Sequence, residues 1–406
     1  MPLDREDRAH GRAARMRGPL REWRSAPPHH VGLTAMRPPH ALMKLLLVNA
    51  LSLSACTPAE DVSPGPSAQE SVPAAGQVVA EIDRRILCIH QDRRGDHWFG
   101  SNGNGVYRYD GQRVIHYSRA DGLGGDQVRD LAEDNEGNVF ISTNDAVTKF
   151  DGTDFETLEL VEAPADGSAW TLDPDDVWLV FNPGRYGPCR YDGNHLYHLP
   201  LSRSPVEDER SRPPRRQFTP AGVYSIYRDR GGHLWFGTAG VGVCRYDGQG
   251  LSWLYEERLT STPGGGDFGI RCVYEDRSGH HWICNTRQRF EIRSEATFQD
   301  GHHMVEYATK EGLPDAQTDS ARNFEYFSSM TEDHDGTIWM ACGDTGVWRY
   351  DGDAVTKHLV GDGAYTTAIY CDRDGRLWVG TLEHGLFTFE GEGFEPFTPG
   401  ESRKEH

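Results

Sequence analysis

The sequence predicts an all-β fold, a seven-bladed β-propeller of four-stranded antiparallel blades. Three observations predict it: one phrase recurs along the chain, its copies are spaced like propeller blades, and the composition suits short strands joined by tight turns. Of the 406 residues, 46 are glycine and 10% are aromatic. No stretch after residue 78 shows the sustained apolar period of a helix.

The recurring phrase is Asp-x-x-Gly-x-x-Trp, followed by Arg-Tyr-Asp-Gly, and its fullest copy is residues 229–248. Successive copies begin from 39 residues apart (Asp333 to Asp372) to 57 residues apart (Asp276 to Asp333), which is the range of propeller blades. A degenerate copy at 173–193 has lost the turn glycine. The first aspartates of the copies are Asp92, Asp134, Asp173, Asp229, Asp276, Asp333 and Asp372.

Each piece of the repeat has a structural task. An alternating strand precedes the aspartate, whose side chain caps backbone N–H groups of a hairpin turn, and the glycine takes a positive φ. The aromatic ring opens the second strand and fills the wedge between blades, and two further strands complete the blade. We therefore predict core positions, rather than a sugar-stacking ring, for Trp98, Trp178, Trp235, Trp282, Trp339 and Trp378.

These phrases resemble the two-component-regulator propeller repeat. Its pattern, Asp-x-x-Gly-x-Leu-Trp-x-Gly-Thr followed by Gly-Leu-x-Arg-Tyr-Asp, is close to residues 229–248 and 372–389, and the resemblance covers residues 84–398. It implies a sensory propeller, because in that family the rings form the extracellular part of membrane-spanning histidine kinases, often in tandem. This sequence has the repeats of one ring and no kinase motif, so we expect any signalling output to come from another polypeptide.

The N-terminal region carries an export signal. Met43-Lys44 precedes a short apolar run that ends in Leu53-Ser54-Ala55-Cys56, which resembles the lipobox of bacterial lipoproteins. We predict a mis-called or disordered extension at 1–42, a signal peptide at 43–55, and lipidation of Cys56. A flexible tether at 56–77 would then lead to the propeller at 78–398, with a polar tail at 399–406.

The resemblance to lipoproteins also implies a location. Thr57 follows the cysteine, as in the outer-membrane sorting class of Gram-negative lipoproteins. We therefore expect a protein of the cell envelope, held by its lipid on the periplasmic face of the outer membrane or at the cell surface.

Net charge and side-chain spacing limit the classes of partner, metal and cofactor that we expect. The formal net charge of −20 repels phosphate backbones, which excludes nucleic acid as an expected partner. An isolated Asp-x-x-Gly turn offers too few oxygen ligands for calcium, and no histidine pair has zinc-motif spacing, so we predict no metal and no cofactor. We expect a monomeric ring that binds a glycan or a protein.

Binding is expected on the face built from the loops that enter the first strand and join the second and third strands. The insertions 202–222, 258–269 and 310–327 all feed this face. Arginines there, on an acidic protein, suggest an anionic or sugar-acid ligand, although ordinary solvated loops would look the same. The candidate residues are Asn102, Asn104, Asn144, Asp145, Arg185, Tyr186, Arg287, Arg289, Asp344, Glu383 and His384.

Catalysis is the alternative function. Lyases and glycosidases can bring a histidine and a carboxylate from distant blades to the central opening, where no linear motif reveals them. The sequence contains no nucleophile elbow or nucleotide loop, so we predict no catalytic residue and a binding module. The first residues to test for catalysis are Glu383 and His384 with Asp344. A His–carboxylate pair at the channel mouth would favour an enzyme.

Overall fold

The computed structural model describes residues 72–181, 187–210, 220–262, 268–314 and 324–400. The chain is all-β, with 46% strand and 3% helix. Its short helical turns are a 3₁₀ turn at Arg119–Asp121, α1 (Glu207–Arg210) and α2 (Glu257–Thr260). Across the described ranges, no helix has the length and hydropathy needed to cross a membrane. The predicted extension, signal peptide and Cys56 lie outside the described residues.

The strands form units of four, named A to G in chain order, and within each unit the pairing is antiparallel except between β11 and β14 of unit C. Two short strands come first, β1 (Val72–Pro73) and β2 (Gln77–Val79). Unit A contains β3 (Ile86–Gln91), β4 (His97–Ser101), β5 (Val106–Tyr109) and β6 (Val114–Tyr117). Unit B contains β7 (Val128–Glu133), β8 (Val139–Thr143), β9 (Val147–Phe150) and β10 (Asp154–Leu158). Unit C contains β11 (Leu160–Glu162), β12 (Val177–Leu179), β13 (Cys189–Tyr191) and β14 (Leu196–His198).

The second half of the chain continues the series. Unit D contains β15 (Val223–Arg228), β16 (Leu234–Thr238), β17 (Val243–Tyr246) and β18 (Leu251–Leu254). Unit E contains β19 (Val273–Glu275), β20 (His281–Ile283), β21 (Arg289–Gln299) and β22 (His302–Lys310). Unit F contains β23 (Ser329–Glu332), β24 (Ile338–Ala341), β25 (Val347–Tyr350) and β26 (Val355–His358). Unit G contains β27 (Thr366–Cys371), β28 (Leu377–Thr381), β29 (Leu386–Phe389) and β30 (Phe394–Pro396).

Unit C departs from the others. Its sheet order is β11-β14-β13-β12, with β11 parallel to β14, and within the described residues no strand leads directly into its turn at Asp173 or pairs with β12 from that side. The strand β12, which carries Trp178, therefore takes the edge position that the strand before the turn takes in the other units. The degenerate repeat in the sequence thus corresponds to an irregular unit.

The first and last units pack on each other. Asp372 in the turn of unit G lies 3.1 Å from Nε2 of His97 in unit A, and the rings of Trp378 and Phe99 are 5.5 Å apart. The N-terminal strands take no part in this contact, because β2 pairs with β6 on the outer side of unit A and β1 pairs with β10 of unit B. Side-chain packing thus joins the two ends of the described chain.

The repeat turns have the predicted geometry and one additional bond. In unit D, Oδ1 of Asp229 accepts the N–H of His233 at 2.8 Å, and Gly232 has a φ of 83°. The other oxygen of Asp229 accepts the indole N–H of Trp235 at 2.8 Å, a contact that spacing alone did not predict. The same 2.8 Å carboxylate–indole bond joins Asp92 to Trp98, Asp276 to Trp282, Asp333 to Trp339 and Asp372 to Trp378.

The repeat tryptophans are core residues, as predicted. All six are buried, and their exposed fractions range from 0% for Trp235 to 7% for Trp178. Trp98 packs edge-on against Phe150 of the next unit at 5.4 Å. Each ring therefore fills a wedge between neighbouring units.

Candidate functional site

The strands that precede the repeat turns lie side by side along one inner edge of the units. The packed pairs are β3 with β7, β15 with β19, β23 with β27, and β27 with β3. In unit C the place is taken by β12, which packs against β7. Side chains that leave these strands away from the sheets therefore meet near a common centre.

A β-bulge occurs at the same place in four of these strands. The register shifts by one residue at Leu87 in β3, Arg129 in β7, Tyr224 in β15 and Thr367 in β27. Each of these residues lies five positions before its turn aspartate. A bulge leaves one residue unpaired and re-aims its side chain, which is why bulges are common next to functional sites.

Arg271 occupies the equivalent position in unit E. In unit D, the residue after the bulge pairs with the residue two positions after Trp235. In unit E, the N–H of Cys284, two positions after Trp282, donates to the carbonyl of Cys272 at 3.0 Å. Arg271 directly precedes Cys272, so it corresponds to the bulged Tyr224.

The residues near this centre form a basic and aromatic group, which we call the central cluster: Arg129, Tyr224, Arg271, Tyr326 and Tyr365. The Arg271 guanidinium lies 4.5 Å from the centre of the Tyr224 ring. A Cβ at Gly269 would lie 2.4 Å from that ring, so glycine provides the space that the ring occupies.

Burial dominates the electrostatics of the central cluster. Burial lowers the pKa of Arg129, and the positive charge of Arg271 lowers it further. The Arg129 side chain is half-buried; its Nε donates to Oδ1 of Asn144 at 2.6 Å, and no ion pair joins it to a carboxylate of the described ranges. The partly buried charge of Arg129 therefore has a neutral amide oxygen as its hydrogen-bond partner.

The cluster tyrosines supply neutral hydroxyls. Burial raises the pKa of Tyr326, and it raises the pKa of Tyr365 to about 12. Both groups are therefore protonated at neutral pH and can donate hydrogen bonds. The buried Tyr326 hydroxyl interacts with the Tyr365 hydroxyl, although the contact falls short of hydrogen-bond geometry.

The two predicted arginines that the structure describes have different partners. Arg287 pairs with Glu325 at 3.1 Å and lies 5.6 Å from the centre of the Trp348 ring. Arg289 is opposite Trp282 in the sheet and donates to the carbonyl of Glu311 at 2.8 Å. That place matches Arg245 opposite Trp235, so Arg289 takes the position of a repeat arginine. Arg185 and Tyr186 lie outside the described residues.

The predicted asparagines divide between turns and the central cluster. Asn144 bonds the side chains of Arg129 and Gln127, which places it beside the cluster. Asn104 instead bonds the Tyr107 hydroxyl within its own unit, and the Asn102 N–H donates to the carbonyl of Arg85 at 2.8 Å. Asp145 forms an exposed ion pair with Arg119.

The residues named for catalysis are exposed. Glu383 and His384 lie in the loop between β28 and β29, and the His384 N–H donates to Oγ1 of Thr381 at 3.0 Å. Asp344 is exposed in the corresponding loop of unit F, and no ion pair joins His384 to a carboxylate within the described ranges. Histidine–carboxylate pairs occur instead at the repeat turns, as between His233 and Asp229 at 3.0 Å. The described residues contain no group of three side chains suited to hold a metal ion.

Sequence reasoning missed Arg129, Tyr224, Arg271, Tyr326 and Tyr365. A usable signal was present in the repeats, because the position five residues before the turn aspartate changes chemical type from copy to copy. It holds Leu87, Arg129, Tyr224, Arg271, Ser328 and Thr367. The turn itself stays nearly constant, so variation at this position indicates that its residues do not serve the same structural role as the turn.

The family model "Two component regulator propeller" matches residues 122–145, 217–240 and 360–383. The chain carries two-component-regulator propeller repeats. These matches cover the hairpins that contain the inner strands of units B, D and G, which are the parts where the repeat is most regular. Among curated proteins, no sequence matches this chain.

Solved propellers share the fold. The extracellular domain of BT4673 from B. thetaiotaomicron, named as a one component system, matches 79% of this chain at 16% identity with a TM-score of 0.50. The match spans only 39% of that domain, so this chain corresponds to about two fifths of its length. A virginiamycin B lyase from Staphylococcus aureus, solved with quinupristin, matches 77% of this chain and 97% of its own at 12% identity, with a TM-score of 0.52. At these identities the likeness concerns the fold alone.

Proposed function

We propose that the chain is an extracytoplasmic recognition propeller that binds its ligand at the central cluster. One observation carries the proposal: the repeats keep their turns constant, yet the bulge positions at the inner edge vary and gather Arg129, Tyr224 and Arg271 there. Binding residues are commonly presented in this way by a rigid scaffold. The two-component-regulator repeats support a sensory role, with output through another protein.

The ring in this proposal has seven blades, one for each of the units A to G. The contact between Asp372 and His97 supports closure between the last unit and the first. Unit C would be a blade whose inner strand is β12, which fits its packing against β7.

The lipid anchor is part of the same proposal and rests on Leu53-Ser54-Ala55-Cys56. We expect the mature protein to begin at an acylated Cys56 and to fractionate with envelope membranes. The substitution Cys56→Ser should abolish acylation and move the protein into the aqueous phase of a detergent phase separation. Aqueous partitioning of the unsubstituted chain, with no acyl mass on its N-terminal peptide, would exclude the anchor.

A ligand screen tests recognition directly. The full chain with Cys56→Ser, exported without its lipid, would be assayed by thermal shift and on a glycan array. A ligand that raises the unfolding temperature and is recovered intact supports a recognition module. If no small molecule or glycan raises the unfolding temperature, a ligand of either class at the central cluster is excluded and the partner is expected to be a protein.

Catalysis is the competing proposal, since a lyase shares this fold at a TM-score of 0.52 over 97% of its chain. The same screen separates the two, because an enzyme would consume the ligand that stabilises it. The substitution His384→Ala would then abolish turnover if Glu383 and His384 act at the opening. The exposure of both side chains favours recognition.

A further inference from the structure

We propose that a cavity on the outer side of unit D binds a neutral oligosaccharide. The cavity has a volume of about 610 Å³ and lies where the connections before and after unit C, the β17–β18 turn and the tip of the β21–β22 hairpin meet. That volume is within the range of small-molecule sites. Because β18 is the strand of unit D farthest from the inner edge, this site is separate from the central cluster and goes beyond the proposed function.

The hairpin that forms one wall of the cavity is an addition to the repeat. β21 and β22 have 11 and 9 residues, whereas the corresponding strands of unit D, β17 and β18, have 4 each. β21 pairs with β20 through its first two residues, and the rest of the hairpin continues past them. There Met304 pairs with Trp253 of β18, and Nδ1 of His302 lies 3.1 Å from the carbonyl oxygen of Arg203. The extension is therefore held against unit D and the connection after unit C, where it closes one side of the cavity.

The lining supplies aromatic surface with polar groups beside it. Three tryptophans of the predicted propeller lie outside the repeat positions, and two of them, Trp170 and Trp253, line this cavity. Trp253 and Tyr246 are buried, while Trp170 is partly exposed and packs edge-on against Tyr246 at 4.9 Å. The Trp253 indole N–H donates to Oγ of Ser202 at 3.2 Å. Aromatic rings with a polar edge suit sugar rings, whose C–H faces pack on the aromatic surface while their hydroxyls form hydrogen bonds.

The charges of the lining favour a neutral ligand. Apart from two histidines, the lining has one carboxylate, Asp166, and one guanidinium, Arg203, so their formal charges cancel. Arg203 already forms an ion pair with Asp208, and the protein as a whole carries a net charge of −20, so an anion has little to attract it. The carboxylate of Asp166 and the amide of Gln249 can instead accept and donate hydrogen bonds to hydroxyl groups.

Gly250 keeps one side of the cavity free of a side chain. In unit A, Arg113 takes the place of Gly250, and in unit C His195 does. The N–H of Gly250 donates to Oδ1 of Asp247 at 2.9 Å, as the N–H of Arg113 donates to Oδ1 of Asp110 at 2.7 Å. Gly250 does not have a positive φ, and a Cβ there would have no atom within 4 Å. The turn therefore does not require glycine at this position, and its effect is to leave space in the cavity.

Matched probes test the ligand class. The full chain with Cys56→Ser would be titrated by calorimetry with four neutral trisaccharides, maltotriose, cellotriose, mannotriose and xylotriose. Trigalacturonate and choline would serve as an anionic and a cationic probe. We expect at least one neutral trisaccharide to bind. The anion should bind more weakly because the protein is acidic, and choline should not bind because it fills too little of the cavity.

Matched variants test the site. Gly250→Arg places in unit D the side chain that unit A already has, so it should abolish trisaccharide binding and leave the unfolding temperature unchanged. Gln249→Ala should weaken binding by about 3- to 10-fold, the loss of roughly one hydrogen bond. Its control is Gln112→Ala, since the N–H groups of Gln112 and Gln249 each donate at 2.9 Å to the aspartate of the same turn in units A and D. The control should leave affinity unchanged.

The failures are distinguishable. Failure of all four trisaccharides to bind, tighter binding of choline or trigalacturonate, or a trisaccharide affinity that Gly250→Arg leaves unchanged would each overturn the outer site. A trisaccharide whose affinity falls in Arg129→Gln and not in Gly250→Arg binds at the central cluster. That result would support the proposed function and overturn only this inference.

Discussion

The two ends of each inner strand differ in how far their residues are repeated from unit to unit. At one end the turn aspartate and the tryptophan are repeated with the same 2.8 Å bond in five units. At the other end, five residues earlier, the bulge position holds an arginine in unit B, a tyrosine in unit D and an arginine in unit E. Repetition serves the scaffold, since every wedge between units has the same shape. Variation serves recognition, since the centre is shared by all units and needs only one set of side chains.

Unit C shows what the repeated end contributes. Asp173 and Trp178 are five residues apart instead of six, and the buried indole N–H of Trp178 has no hydrogen-bond partner among the described residues. Asp176 of this turn bonds Arg190 instead, at 2.7 Å. The loss of one residue therefore breaks the carboxylate–indole bond while the ring itself stays in the wedge.

The largest expected effect is at the repeated end. Trp235→Ala should lower the free energy of unfolding by about 3–5 kcal/mol, because a fully buried ring leaves a cavity between two units. Chemical denaturation measures it. Ligand affinity at the central cluster should stay unchanged in the fraction that remains folded. A loss of both stability and affinity would contradict separate roles for the two ends.

The next largest expected effect is a loss of folding stability at the repeated end when the pH is lowered. Burial alone would raise the pKa of Asp372, but hydrogen bonds from His97, the Trp378 indole and the Arg376 N–H outweigh it and lower the pKa to about 2. A lowered pKa contributes stability above the unfolded value of about 4 and loses it as pH falls from about 4 to about 2, here roughly 2 kcal/mol.

The control for this acid effect is Asp372→Asn, measured by denaturation from pH 7 to pH 2. The variant should be less stable at pH 7 and should show a shallower loss of stability between about pH 4 and pH 2 than the unsubstituted chain. Identical pH slopes in the two proteins would mean that the turn carboxylate does not carry this stability.

A smaller effect separates unit C from unit D. Trp235→Phe removes a ring N–H that bonds Asp229, whereas Trp178→Phe removes one that bonds nothing in the described chain. Both lose similar ring area, so the first should cost about 1–2 kcal/mol more than the second. Equal losses in denaturation would show that the carboxylate–indole bond adds nothing to packing.

The repeated end was predictable from sequence and the centre was not. Asp-x-x-Gly-x-x-Trp specifies a turn and a buried ring by local chemistry, so positions such as Trp235 follow from spacing alone. Arg129 and Arg271 come from units B and E, which lie far apart in the chain, and the bulge at Arg129 shifts the alternation that would have shown which way its side chain faces. Asn144 was found because it lies in a loop, and Arg289 was grouped with it although it occupies a repeat position.

The most direct test compares two residues that flank the inner strand β19 (Val273–Glu275), Arg271 before it at the variable end and Asp276 after it at the repeated end. Each would be changed separately, to Arg271→Gln and Asp276→Asn, with the unfolding temperature and the affinity for the ligand found by the thermal-shift screen measured on both. We predict that Arg271→Gln weakens the ligand and leaves the unfolding temperature nearly unchanged, while Asp276→Asn lowers the unfolding temperature and leaves affinity intact. If both variants lost stability alone, with ligand affinity unaffected by Arg271→Gln, the assignment of recognition to the centre would be contradicted.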